Sequence, residues 1–131
     1  MFVDASALTA MFADESDAPE LVARLDRAET LLTSPIAVWE ATVALARLSG
    51  KSIKDVRKSL ERFLELADIR TLPVPPEAAA IALDAFDRFG KGRHSAKLNM
   101  GDCFAYACAR HFGEPLLYKG ADFPLTDIEA G

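Results

Sequence analysis

The sequence predicts an α/β fold, a mostly parallel β-sheet with helices on both faces. Two features carry this expectation. Short apolar runs suited to buried strands alternate with longer segments whose apolar residues recur every three or four positions. The segments between successive strands are also long enough to be helical crossovers, which parallel strands require.

The first run, FVDA, reads as a strand that ends at Asp4. Ser6 is placed to cap a helix running through Leu8, Met11 and Phe12. Leu21, Val22 and Leu25 recur at helical spacing within Pro19–Ala28, and Thr30–Ser34, TLLTS, is the next extended run. Ser34-Pro35 starts a helix, with the serine as cap and the proline in the first turn. That helix is expected to reach about Leu48 and to stop at Ser49-Gly50, and Trp39 suggests that it is largely buried. Ile53, Val56, Leu60, Phe63, Leu64 and Ala67 mark another helix by their spacing.

Ile69–Val74 is a third extended run, broken by Pro73 and Pro75. A helix over Pro76–Phe89 should bury Ala78, Ile81, Ala82, Ala85 and Phe86. The stretch from Arg88 to Gly101, RFGKGRHSAKLNMG, carries Arg88, Lys91, Arg93 and Lys97 with no acid, and reads either as a solvated loop or as a phosphate contact. Asp102 heads a helix to about Phe112, ended by Gly113. Pro115–Tyr118, PLLY, is a short buried strand, and TDIEA near the end reads as an edge strand.

A length of 131 residues is one domain's worth and buries a sizeable core without disulfides. Half the residues are hydrophobic and 27% are charged, which excludes a disordered chain. No run is long enough to span a bilayer and no signal-peptide pattern opens the chain, so a cytoplasmic protein is expected. The two cysteines, Cys103 and Cys108, are five residues apart in one helix and read as reduced packing residues. With only two histidines and no CxxC, any metal must be oxygen-bound. The net charge of −5 argues against gripping nucleic acid by the overall field.

Four acids stand in apolar settings. Asp4 ends the first strand, where ligands of parallel sheets gather. Glu40 is the only charge in PIAVWEATVALA, Asp102 the only one in MGDCFAYACA, and Asp122 follows the strand PLLY. Taken singly, each has a structural alternative: a cap or Asx turn for Asp4, an outward-facing side chain for Glu40, an N-cap for Asp102, a turn for Asp122. Taken together they would converge at one end of the sheet. Carboxylates within about 5 Å of one another in a partly desolvated pocket repel strongly, and a hard dication such as Mg²⁺ or Mn²⁺ removes that cost.

Asp4-Ala5-Ser6 at the N-terminus, Glu40 in an apolar helix, LNMGDCFAYACAR with Asp102 and PLLYKGADFPLTDI with Asp122 resemble the PIN-domain ribonucleases, and more narrowly the VapC-type toxins of toxin–antitoxin pairs. The likeness covers essentially the whole chain, residues 1–131, as a single PIN domain. It implies a PIN-like three-layer sandwich and an endoribonuclease dependent on Mg²⁺, with Mn²⁺ as substitute. It also implies a homodimer restrained by a VapB-type antitoxin. Asp4, Glu40 and Asp102 match the family's central acids, and Ser6 its accompanying hydroxyl. Asp122 is carried over as the fourth acid; the position two residues earlier, where many relatives hold an acid or amide, is Gly120. Lys91, Arg93, Lys97 and Lys119 are the candidate RNA contacts. Two alternatives stay open. One is a PIN fold that has lost catalysis and serves as a binding module. The other is a phosphoacceptor receiver domain, which would use Lys119 but lacks the acidic pair after the first strand.

Overall fold

A computed structural model describes residues 1–131. Four strands form one sheet in the order β3-β2-β1-β4, every neighbouring pair parallel: β1 Phe2–Val3, β2 Leu31–Thr33, β3 Ile69–Thr71 and β4 Leu116–Leu117. The expectation of a mostly parallel sheet holds throughout. The strand order reverses at β1, which has β2 on one side and β4 on the other.

β1, though only two residues long, is fixed on both sides. Its flanking amides reach across to β4, Phe2 N–H donating to Pro115 O (2.8 Å) and Asp4 N–H to Leu117 O (2.9 Å), while Leu32 N–H donates to Met1 O (2.9 Å). The buried Thr33 hydroxyl adds a bond to Val3 O at 2.8 Å. Alternation along these strands then builds two cores. Phe2, Leu32 and Leu116 face helices α5 (Ala78–Phe89) and α6 (Met100–Phe112). Val3, Ile69 and Leu117 face α1 (Ala5–Phe12), α2 (Ala18–Leu25), α3 (Pro35–Ser49) and α4 (Ile53–Leu66). The result is three layers, as the period-two pattern of strands covered on both faces demands.

Leu60, fully buried in the second core, shows the scale of this packing, since truncating such a leucine to alanine costs about 2–5 kcal/mol.

Several local expectations need correction. Ser6 does not cap α1. Asp4 does, accepting from Ser6 N, because the chain turns from strand to helix without an intervening residue. Trp39 is 65% exposed rather than buried, since α3 buries the stripe of Ala37, Ala41, Leu45 and Ala46, and the tryptophan lies off it. In α5 the buried stripe is Ala78, Ala82, Ala85 and Phe89, which turns Phe86 toward solvent.

Asp102 is not the cap of α6. Asn99 is, with Asp102 three residues on completing a reciprocal capping box. TDIEA forms no strand. It is held instead by Asp127, which accepts from Arg88 and from the Tyr106 hydroxyl at 2.8 and 2.7 Å, and it meets the sheet in a single bridge opposite Leu116, whose amide donates to Glu129 O at 2.8 Å. No helix is long and apolar enough to cross a membrane.

Candidate active site

Three of the four acids, Asp4, Glu40 and Asp102, come to the carboxyl end of the sheet, where the strand order switches. A cleft of about 650 Å³ opens there, and its lining includes Asp4, Ser6, Glu40, Asp102, Lys119 and Gly120. The chain delivers these residues from four places: the end of β1, the first turn of α1, the middle of α3 and the start of α6, with the turn after β4 closing the side.

Asp4 is held most firmly. Only 3% of it is exposed, its backbone is bonded to β4, and its Oδ2 accepts from both the Ser6 amide (2.9 Å) and the Ser6 hydroxyl (2.6 Å). Ser6 Oγ in turn accepts from Lys119 N–H at 3.0 Å. One serine thus ties the acid after β1 to the turn after β4. Burial raises the Asp4 pKa, and the hydrogen bonds from Ser6 and Ala5 oppose the rise without cancelling it.

Glu40 has no such support. No hydrogen bond from the protein reaches its carboxylate, which lies against the backbone of Gly101. A methyl group added at Gly101 would run into that carboxylate, so the glycine leaves the space in which the Glu40 carboxylate sits. Desolvation, then the charges of Asp4 and Asp102, push the Glu40 pKa up to about 7. Asp102 is raised to about 6 by desolvation, with Asp4 and Asp122 adding to the rise and the hydrogen bond from the Asn99 amide opposing it. That bond engages Oδ2 at 2.8 Å, and the Asp102 amide donates to Asn99 Oδ1 at 3.0 Å. Asp122 is exposed at the edge, close enough to act on Asp102 electrostatically but outside the lining of the cleft.

No lysine or arginine forms an ion pair with Asp4, Glu40 or Asp102. Lys119 lines the cleft, yet its ammonium is bonded to Glu15 and lies 3.6 Å from Asp17. The other basic candidates stand elsewhere: Lys91, Arg93 and Lys97 are exposed and outside the lining, and Arg93 is paired with Asp87 at 2.7 Å. Sequence reasoning missed Asn99, Trp39 and Arg47 as cleft residues. The N-x-x-D spacing of a capping box was a readable signal for the first. An arginine eight residues beyond the tryptophan on one helix was a signal for the other two.

The donor set suits a hard cation. The uncompensated groups are carboxylates, no histidine or cysteine lines the cleft, and burial pushes both cysteine thiols up to about 11. The acids do not close into a compact cage of three. The oxygen-only donor set is the kind that suits a hard divalent cation rather than zinc.

The sequence matches the PIN domain family over residues 1–129. This chain is a PIN-domain protein. It is 38% identical to a VapC ribonuclease of Rhizobium meliloti, over 97% of this chain and 98% of that one. The ribonuclease VapC30 of Mycobacterium tuberculosis is also 38% identical, over 98% and 95%. Among solved structures, the PIN fold here matches Mycobacterium tuberculosis VapC20, a Sarcin-Ricin loop cleaving toxin, with a TM-score of 0.74 over 97% of this chain and 95% of that one, at 19% identity. Membership of the PIN family sets aside the receiver-domain alternative.

Proposed function

We propose that this chain is the endoribonuclease toxin of a VapBC-type pair, working in the cytoplasm as one PIN unit over residues 1–131 and hydrolysing RNA phosphodiester bonds with Mg²⁺ or, in its place, Mn²⁺. One observation carries the reading: Asp4, Glu40 and Asp102, remote in sequence, line a single cleft where no protein cation pairs with them, and where desolvation and then the charge of Asp4 raise the pKa of Glu40 and Asp102. A protein does not keep such an arrangement for stability, because unpaired desolvated carboxylates cost several kcal/mol. The likeness of the whole chain to the VapC ribonucleases supports the same assignment.

In this reading Asp4, Glu40 and Asp102 hold the cation, and Asp122 joins from the edge when RNA or a second ion is bound. The cation supplies Lewis acidity toward the phosphoryl oxygen and toward water. Ser6 fixes the Asp4 carboxylate so that it does not swing away from its partners. The Asn99 amide does the same for Asp102 through Oδ2, leaving Oδ1 without a protein partner. Glu40, whose carboxylate accepts no hydrogen bond from the protein, is left free to engage the cation or the water that attacks. Lys119 at the cleft, and Lys91, Arg93 and Lys97 farther out, are assigned to backbone phosphates of the RNA.

A VapB-type antitoxin is expected to restrain the enzyme by placing a basic segment in the acidic cleft. Homodimerisation is expected to cover the exposed apolar side chains Leu83, Phe86 and Met100.

The test is cleavage by purified protein stripped of any partner. RNA should be cut with Mg²⁺ or Mn²⁺ and left intact with EDTA. A folded protein that binds RNA without cutting it under either metal would establish the non-catalytic binding module instead.

A further inference from the structure

The wall of the cleft contains a residue that neither metal binding nor stability explains. Trp39 is the only tryptophan in the chain, and it is 65% exposed. It precedes Glu40 on α3 and lines the same cleft as Asp4 and Asp102. It stacks on no other aromatic ring and receives no cation over its face, whereas Phe2, Phe12, Phe89 and Tyr118 all have ring partners. An indole left in water forgoes the largest apolar burial any side chain offers. Val43 and Arg47 follow at helical intervals and line the cleft beside it, so Trp39, Val43 and Arg47 make one stripe down the exposed side of α3. Arg47 is exposed and has no carboxylate partner.

Resting on the ribonuclease reading, we propose that Trp39 is the platform on which an unpaired nucleobase beside the scissile phosphate stacks, and that Arg47 holds a phosphate farther along the same strand. The chemistry fits a single strand. An indole face accepts any base and requires that base to be unpaired, and a guanidinium about 12 Å along the helix supplies the positive charge the acidic cleft lacks. Stacking at this position sets which side of the acids the strand enters and holds the phosphodiester over them. Trp39 is therefore a positioning residue; it takes no part in proton transfer.

Its solitary indole makes the test direct. Two probes are used: a short single-stranded oligoribonucleotide of mixed sequence and a hairpin with a single-stranded loop. Binding to the Asp102→Asn protein should quench the Trp39 emission. In the otherwise unaltered enzyme, Trp39→Ala should raise KM about tenfold with little change in kcat, and Trp39→Phe should recover most of the loss. Removing one base next to the cut, with its phosphate kept, should raise the wild-type KM by a similar factor and add little in Trp39→Ala, because both changes delete the same contact. Arg47→Ala should weaken binding of intact and abasic RNA alike and reduce its salt dependence. The proposal is overturned if Trp39→Ala cleaves both probes with the wild-type KM, or if base removal costs the same with and without the indole. A defect of Trp39→Ala confined to inhibition by a protein partner would also overturn it, by assigning the indole to that contact. These outcomes are separate from failure of the ribonuclease reading, which is absence of cleavage by the wild-type enzyme.

Discussion

The carboxylate of Glu40 lies against the backbone of Gly101, one residue before Asp102. This contact places the Glu40 carboxylate beside the start of α6, where the charge of Asp102 acts on it. Gly101→Ala places a methyl group where the Glu40 carboxylate sits. The folded variant is expected to lose cleavage by about tenfold or more, since Glu40 must swing away from Asp102, while its far-UV circular dichroism stays that of the wild type. RNA cleavage at saturating Mg²⁺ measures it.

Neutralising the acids should separate activity from stability. Asp4→Asn, Glu40→Gln and Asp102→Asn are each expected to reduce cleavage by about 100-fold or more. Without metal, each should retain or exceed the wild-type melting temperature, because like-charge repulsion is relieved. Asp102→Ala should behave differently. It also removes the acceptor for the Asn99 amide, and half of a capping box is worth about 1 kcal/mol, so this variant should melt earlier. Thermal denaturation in EDTA distinguishes the two substitutions at Asp102.

The pH dependence has a defined sign. Glu40 titrates at about 7 in the folded protein against an ordinary value of 4.5, and Asp102 at about 6 against 3.8. Within those windows the native state keeps protons that the unfolded chain has released, so the contribution of these groups to stability falls as pH rises. Compared with Glu40→Gln in EDTA, the wild type should be about equally stable at pH 4. It should become progressively less stable up to about pH 7, with a constant difference beyond. Urea unfolding midpoints across the range give the curve. Mg²⁺ competes with the same protons, so its affinity should rise over the same interval.

Ser6 links Asp4 to the turn after β4. Ser6→Ala leaves the Lys119 amide without its acceptor and deletes one of the hydrogen bonds to Asp4. A loss of about 1–3 kcal/mol is expected by urea unfolding, together with reduced cleavage.

Much of this was legible in the sequence for physical reasons. Asp4 stands out because a charge at the end of an apolar strand has one favourable place, the carboxyl end of the sheet. Helix boundaries such as Ser34-Pro35 and Gly50 follow from cap chemistry. The misreadings came from features that residue type alone does not fix. The hydrophobicity of Trp39 suggests a largely buried helix, although the buried face of α3 is built mostly from small residues and one leucine, and the indole has no place on it. TDIEA has the composition of a strand, yet the pull of Arg88, Tyr106 and Arg110 on Asp127 outweighs that propensity. Composition also could not show that Lys119 is engaged by Glu15 and Asp17, since those pairings depend on tertiary placement.

Crystals soaked in Mn²⁺ and measured for anomalous scattering test the central claim most directly. The expected result is a peak bounded by Asp4, Glu40 and Asp102, lost in Asp4→Asn. A protein that cleaves RNA in Mn²⁺ while showing no peak there, or a peak at some other group of residues, would contradict it.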